Sequence, residues 1–111
     1  MEKKYELTSE TTTIDGKTLF RIRALISFSG VTAGELGGFI EKETNLSGDA
    51  WVSGDAQVSG DARVSGDAWV YGNANVYGNA YVYGNAQVYG DARVYGDTWV
   101  SGDARVYERE F

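Results

Sequence analysis

Seven aspartates are the residues of this chain whose type and spacing could support acid-base chemistry. They form what we call the acidic ladder and lie six residues apart in two runs, at Asp49, Asp55, Asp61, Asp67, Asp91, Asp97 and Asp103. Carboxylates held in register can act as a general acid and base, as in glycoside hydrolysis. Each of them, however, directly follows a glycine, and Gly-Asp is a turn-forming pair. We interpret the ladder as turn residues and assign no catalytic residue.

The chain contains no histidine and no cysteine. Histidine is the side chain that ordinarily titrates nearest neutral pH, so the most common general base is missing. A Ser-His-Asp triad and a Cys/His metal cluster are excluded for the same reason. We therefore expect a non-enzymatic protein that binds no metal and no cofactor.

A second group of candidate functional residues is aromatic, with two arginines nearby. This outward aromatic set comprises Trp51, Trp69, Tyr71, Tyr81, Tyr83, Tyr89, Trp99 and Tyr107, together with Arg93 and Arg105. Exposed Tyr, Trp and Arg are typical anchors of protein interfaces. Tyr and Trp are also good strand formers that stack on their neighbours. Both interpretations remain open at this point.

The elements that position these residues are short repeats. Residues 46–105 divide without insertion into ten hexads: LSGDAW, VSGDAQ, VSGDAR, VSGDAW, VYGNAN, VYGNAY, VYGNAQ, VYGDAR, VYGDTW and VSGDAR. Ile40 lies six residues before Leu46, with Thr44 in the small-residue position, which places the start of the repeat near Gly38. The repeat is expected to end at Tyr107, because Glu108 replaces the glycine and Glu110 would bury a carboxylate in the alanine position.

Each hexad predicts one short strand and one sharp corner. In Ala-x-Val-Ser/Tyr the residues alternate, so Ala and Val face one side while x and Ser/Tyr face the other. Gly-Asp or Gly-Asn supplies the corner, since glycine permits positive φ and Asp and Asn tolerate turns. Val and Ala therefore form the predicted core.

Over residues 38–107, an aliphatic residue is followed four positions later by a small residue, and this pattern recurs every six residues. The pattern resembles that of the hexapeptide-repeat proteins. The resemblance implies an all-β fold, a left-handed β-helix shaped as a triangular solenoid with three hexads, or 18 residues, per coil. Small proteins of phages and prophages are also similar, in IDGKTLFRIRAL and GELGGFIEKETNLSGDAWVSGDA, and this likeness implies no reaction. The best-known relatives by repeat are acyltransferases with a histidine base, which is missing here, so acyl transfer is retained only as a second alternative.

A period of 18 predicts three outward faces. The first carries Trp51, Trp69, Gln87 and Arg105 beside Ser53, Tyr71, Tyr89 and Tyr107. The second carries Gln57, Asn75 and Arg93 beside Ser59, Tyr77 and Tyr95. The third carries Arg63, Tyr81 and Trp99 beside Ser65, Tyr83 and Ser101. At the corners, Asn73, Asn79 and Asn85 are expected to hydrogen-bond along the ladders.

The segment before the repeat predicts a cap. Asp15-Gly16 is a hairpin turn signal, and pairing residues whose numbers sum to 31 sets Glu10 opposite Arg21. The same register gathers Tyr5, Leu7, Phe20, Ile22, Ala24 and Ile26 on one apolar face. Residues 28–39 are expected to be a loop that lays Val31, Leu36 and Phe39 over the first coil. The predicted organisation is a hairpin and capping loop at 1–37, a solenoid at 38–107 and a tail at 108–111.

The charge of the chain limits the kinds of partner that it is expected to bind. The net charge is -6 and Lys and Arg do not cluster, so direct nucleic-acid binding is not expected. No apolar run reaches membrane-spanning length and no signal peptide is visible, so a cytoplasmic protein is expected, in the host cytoplasm if phage-encoded. The favoured function is a binding or scaffold protein that contacts itself or another protein through an aromatic face or its C-terminal coil. The alternative is an acidic phage inhibitor that imitates DNA toward a host nucleic-acid-binding or defence protein.

Overall fold

The computed structural model describes residues 4–14, 16–28 and 30–107. These residues form strands and one 3-10 helix of three residues, Glu43–Asn45. The strands are β1 (Tyr5–Ile14), β2 (Lys17–Ala24), β3 (Leu36–Ile40), β4 (Trp51–Val52), β5 (Gln57–Val58), β6 (Arg63–Val64), β7 (Trp69–Val70), β8 (Asn75–Val76), β9 (Tyr81–Val82), β10 (Gln87–Tyr89), β11 (Arg93–Val94), β12 (Trp99–Val100) and β13 (Arg105–Tyr107).

The repeats stack as a three-sided β-solenoid of about four coils. Strands 18 residues apart pair in parallel, as in Trp51↔Trp69 and Val88↔Val106. One side is β4-β7-β10-β13, the second contains β3-β5-β8-β11 and the third is β6-β9-β12. The 18-residue period and the composition of the three faces are therefore confirmed.

The core is a column of valines and alanines, as the alternation predicts. Val58, Val76 and Val94, for example, are completely buried, and so are the alanines of the inner coils. At the corners the hexad glycines have φ between 64° and 71°. From Asp49 to Asn85, the corner N–H that follows each glycine donates to a glycine carbonyl of the next coil, as Asp49 does to Gly66 at 2.9 Å. This close stacking leaves little space for a side chain at the glycines from Gly48 to Gly84.

Two of the three expected ladder bonds form. The amide nitrogen of Asn79 donates to Oδ1 of Asp97 at 3.3 Å, and that of Asn85 donates to Oδ1 of Asp103 at 3.2 Å. Asn73 makes no such bond to a described residue. At Asp97 and Asp103 a neutral donor replaces the repulsion that two stacked aspartates would have.

The N-terminal hairpin keeps its predicted faces but not one uniform register. Near the turn Ile14 pairs with Lys17, whose numbers sum to 31, whereas Tyr5 pairs with Ala24 beyond an irregularity between Leu7 and Thr11. The shift is an even number of residues, so inward and outward faces are preserved. Glu10 meets Arg21 as expected, with a Nε–Oε2 distance of 2.9 Å. Asp15, half of the predicted turn, lies outside the described residues.

The connection to the solenoid is not entirely a loop, which corrects the prediction for residues 28–39. Strand β3 pairs antiparallel with β2 and parallel with β5, so hairpin and solenoid share one six-stranded sheet. Val31 and Phe39 are buried as expected, but Leu36 is 52% exposed. A Cβ on Gly37 would lie 2.4 Å from the carbonyl oxygen of Val52, so the crossing requires glycine there.

The degenerate first hexad also differs from its prediction. Thr44 is exposed instead of occupying the inward small-residue position, because the 3-10 helix turns this corner. Asn45 is buried in its place, and its Oδ1 accepts from the backbone N–H of Glu41 and Lys42 at 3.1 and 2.8 Å. Its Nδ2 donates to the carbonyls of Gly60 and Ala62 at 3.1 and 2.8 Å. One side chain thus replaces the missing Gly-Asp corner.

The three sheets end at β11, β12 and β13, which together form the last described coil. The tail 108–111, and with it the predicted end of the repeat at Glu108 and Glu110, lies outside the described residues. Within the described ranges, no helix has the length and apolar character needed to cross a membrane.

Candidate functional site

The first face does not expose Trp51, contrary to its place in the outward aromatic set. Trp51 projects outward from β4, yet it is completely buried, because the segment after β2 covers it. Phe28 contacts it edge to face, with ring centroids 5.6 Å apart. Trp51 therefore belongs to the core beneath the cap and is not available to a partner.

Below Trp51, the first face carries a tyrosine stack. Tyr71 and Tyr89 are parallel at a centroid distance of 5.1 Å, and Tyr89 and Tyr107 are stacked at 5.5 Å. The hydroxyl of Tyr71 donates to Oε1 of Gln87 at 3.2 Å. Trp69 is half-buried beside them, in a cleft of about 280 Å³ that Ser53, Trp69, Tyr71 and Gln87 line. The stack orders these rings without burying them.

The third face carries a second stack. Tyr81 lies parallel to Trp99 at 5.4 Å, and Tyr83 meets Trp99 edge to face at 6.0 Å. On the other side of Tyr81, the guanidinium of Arg63 lies 5.7 Å from its ring centroid. Arg63 was not among the predicted site residues, although its column position, 18 residues before Tyr81, could have indicated it.

The outward aromatic set is therefore not one patch. Trp69, Tyr71, Tyr89, Tyr107 and Arg105 share the first face, as strand pairing requires. Tyr81, Tyr83 and Trp99 share the third face. Arg93 lies on the second face, beside the stacked pair Tyr77 and Tyr95, whose centroids are 5.3 Å apart.

Exposure rises sharply in the last coil. Trp99 is 64% exposed and Tyr107 is 53% exposed, the two largest values among the exposed hydrophobic side chains of the described chain. Ala104 is exposed although it occupies the inward alanine position, whereas Ala86, one coil earlier, is completely buried. The last described coil therefore exposes two large aromatic side chains, while Leu25 and Leu36 are exposed in the N-terminal segment.

A groove of the described chain lies on the second face. It has a volume of about 420 Å³ and lies between the hairpin tip and the solenoid wall. Its lining residues are Ile14, Lys17, Gln57, Ser59, Asn75, Tyr77, Gly78 and Arg93. Of these, only Arg93 was a predicted site residue, because sequence does not reveal how far the hairpin tip bends toward the second face.

Part of the acidic ladder is already paired within the chain. Asp49 forms an ion pair with Lys4, and Asp61 forms one with Lys42 at 3.0 Å. Among the described residues, no group of three or more Asp, Glu, His or Cys side chains is arranged to hold a metal ion. The ladder thus combines turn formation with local charge pairing.

The pKa of Tyr5 is raised above its ordinary value. Burial, with a smaller contribution from the Glu43 carboxylate, raises the pKa of Tyr5 to about 12. Its hydroxyl lies 2.8 Å from the carbonyl oxygen of Glu43 and 2.9 Å from that of Leu46. These contacts tie the hairpin to the first coil, so we assign Tyr5 a structural role.

Comparison with known proteins agrees with this architecture. Residues 56–72 and 86–102 match the YdcK β-solenoid repeat, each stretch covering nearly one coil. No curated protein sequence matches the chain significantly. The chain is a β-solenoid repeat protein, and the comparison identifies no ligand or reaction.

Proposed function

We propose that this chain is a non-enzymatic scaffold protein that associates with a second copy of itself through its C-terminal coil. The observation that carries the proposal is the exposure of Trp99 and Tyr107 in the same terminal coil, next to the exposed Ala104. Large aromatic side chains of this kind are the usual anchors of protein interfaces.

The terminal strands add a second reason. In the inner coils every strand pairs on both sides, while β11, β12 and β13 are the outermost strands of the described sheets. Unpaired strand edges are templates for pairing with another chain. At the other end, β1 and β2 continue one of the three sheets above β3, while β4 is the outermost strand of its own sheet and its Trp51 is covered by Phe28.

Charge is compatible with a symmetric contact. Asp91, Asp97 and Asp103 mark the corners of the last coil, and Arg105 lies in the same coil. A twofold axis brings the same surface of two copies together in opposite directions, so an arginine of one copy can lie beside an aspartate of the other. The DNA-imitation alternative has less support, because Lys4 and Lys42 neutralise two ladder aspartates.

The test is the native mass of the full chain by light scattering over a range of concentrations. We expect a dimer that the double variant Trp99→Ser/Tyr107→Ser converts to a monomer. The matched control, Leu25→Ser/Leu36→Ser, removes two exposed apolar side chains of the N-terminal segment, which are 41% and 52% exposed, and should remain dimeric. A monomeric wild-type mass at every concentration would overturn the proposal.

A further inference from the structure

The cleft on the first face lies where two neighbouring outward columns change residue type. In one column the short Ser53 lies one coil above Tyr71, and in the other Gln87 lies one coil below Trp69. A smaller side chain beside a large ring in each column leaves a cleft of about 280 Å³ around Trp69 and Tyr71. The cleft is therefore a local feature that the other two faces of the repeat do not reproduce.

The two rings of the cleft are held in place by the protein. Tyr89 stacks on one face of Tyr71, with ring centroids 5.1 Å apart and an interplanar angle of 5°. The neighbour of Tyr71 on its other side is Ser53, which has no ring to stack on it. Trp69 packs against the valine and alanine core and is half-buried. A ligand therefore meets an aromatic surface that is already ordered, which lowers the entropic cost of binding.

Polar groups at the edge of the cleft are not used by the fold. The hydroxyl of Tyr71 donates to Oε1 of Gln87 at 3.2 Å, which fixes the orientation of that amide. Nε2 of Gln87 and Oγ of Ser53 form no hydrogen bond with a described residue. Both side chains are half-buried, and partly enclosed polar groups ordinarily have partners. They are therefore available to hydrogen-bond a ligand.

The described lining of the cleft carries no charge. It consists of Ser53, Trp69, Tyr71 and Gln87. A ligand with a phosphate or a carboxylate would place that charge against aromatic rings without a counter-charge, which is unfavourable. The volume of about 280 Å³ is just below the usual range of ligand pockets, so the site suits a single ring. The complementary ligand is small, neutral and ring-shaped, with polar groups on its edge.

We propose that this cleft binds a neutral sugar, as one pyranose unit of a glycan. The C–H face of the pyranose packs on the open face of Tyr71 and on Trp69. Its hydroxyls accept from Nε2 of Gln87 and bond to Oγ of Ser53, since a hydroxyl can both donate and accept. A flat aromatic ligand would use the same rings, but it offers fewer groups to Ser53 and Gln87.

The test is a titration of the ¹⁵N-labelled full chain with the methyl glycosides of glucose, galactose, mannose and N-acetylglucosamine. We expect at least one glycoside to shift the indole N–H signal of Trp69, identified by its loss in Trp69→Phe, and the side-chain amide signals of Gln87. Sorbitol is the matched probe, because it keeps the hydroxyls and lacks the ring, and it should bind at least about tenfold more weakly. Adenosine and N-acetyltyrosinamide test flat aromatic ligands.

Variants separate the cleft from tyrosine stacks elsewhere on the solenoid. Tyr71→Ser and Gln87→Leu should each weaken binding of the glycoside about tenfold. The control Tyr77→Ser should not change it, because Tyr77 occupies the equivalent position on the second face, stacked on Tyr95 and one coil below Ser59. The spectrum of each variant reports whether the fold is intact.

Four results would each overturn the proposal. They are no response to any glycoside at millimolar concentration, sorbitol binding as tight as that of the glycoside, an equal effect of Tyr77→Ser, and tighter binding of adenosine or N-acetyltyrosinamide than of every sugar. Self-association is tested with Trp99 and Tyr107, which do not line the cleft, so the two proposals can fail independently.

Discussion

Trp51 and Phe28 meet edge to face, with ring centroids 5.6 Å apart and an interplanar angle of 84°. Trp51 belongs to an outward column of the repeat, and Phe28 comes from the segment that follows the hairpin. The contact turns an outward position of the first coil into an interior one. The same column ends at the exposed Arg105, so one repeat position serves as core at one end of the solenoid and as surface at the other.

The three tryptophans should therefore differ in solvent access. In a variant that retains only Trp51, with Trp69→Phe and Trp99→Phe, we expect blue-shifted fluorescence that acrylamide quenches weakly, because the ring is completely buried. A variant that retains only Trp99 should emit further to the red and be quenched readily, since that ring is 64% exposed. Equal quenching of the two variants would contradict the buried position of Trp51.

Asn45→Ala should strongly destabilise the protein, although the substitution removes only one polar side chain. The change leaves buried backbone groups at Gly60 and Ala62 without their donor, and we expect a loss of about 2–3 kcal/mol in the free energy of unfolding. Urea denaturation measures it. The control Asn73→Ala, at an exposed corner, should change stability by less than about 0.5 kcal/mol. A comparable effect of both variants would show that the buried bonds of Asn45 contribute little.

Gly84 and Gly102 stack at the same corner, and substituting each one allows the stability cost of backbone strain to be measured apart from the cost of crowding. Gly84 and Gly102 have φ of 71° and 64°, but a Cβ on Gly84 would lie 2.9 Å from the backbone N of Gly102, whereas one on Gly102 would contact nothing within 4 Å. Gly102→Ala should cost about 1–2 kcal/mol from conformation alone. Gly84→Ala should cost at least about 1 kcal/mol more, because the coils must separate. Equal costs by thermal or urea denaturation would exclude a contribution from stacking.

The raised pKa of Tyr5 predicts a loss of stability at alkaline pH. Below pH 10 the phenol is protonated in both the folded and the unfolded chain, so its contribution is complete. Above pH 10 the unfolded chain releases the proton first, and stability falls until the pKa of about 12 in the folded protein is passed.

This titration can be measured as the difference in tyrosinate absorbance between wild type and Tyr5→Phe. We expect one phenol with a midpoint near 12, and an alkaline unfolding transition that is less steep in the variant. The corresponding difference for Tyr107→Phe, which removes an exposed phenol, provides the comparison curve. A midpoint near 10 for Tyr5 would show that its contacts with Glu43 and Leu46 do not persist in solution.

By itself, the sequence determined the solenoid. A six-residue period places Val and Ala inward and glycine at each corner, because strand alternation and turn chemistry act over a few residues. The number of hexads in a coil came from the resemblance to hexapeptide-repeat proteins. Once three hexads per coil are given, the face of each outward residue and the ladder bond from Asn79 to Asp97 follow from the repeat register.

Only the tertiary structure decided what happens where the repeat meets its cap. The burial of Trp51, the corner formed by Asn45, the strand β3 and the groove beneath Lys17 all depend on how a non-repetitive segment bends over the first coils. Those contacts join residues far apart in sequence and follow no period. The physical reason for the division is that periodic local geometry propagates along a solenoid, whereas the docking of its cap is set by side-chain packing that occurs only once.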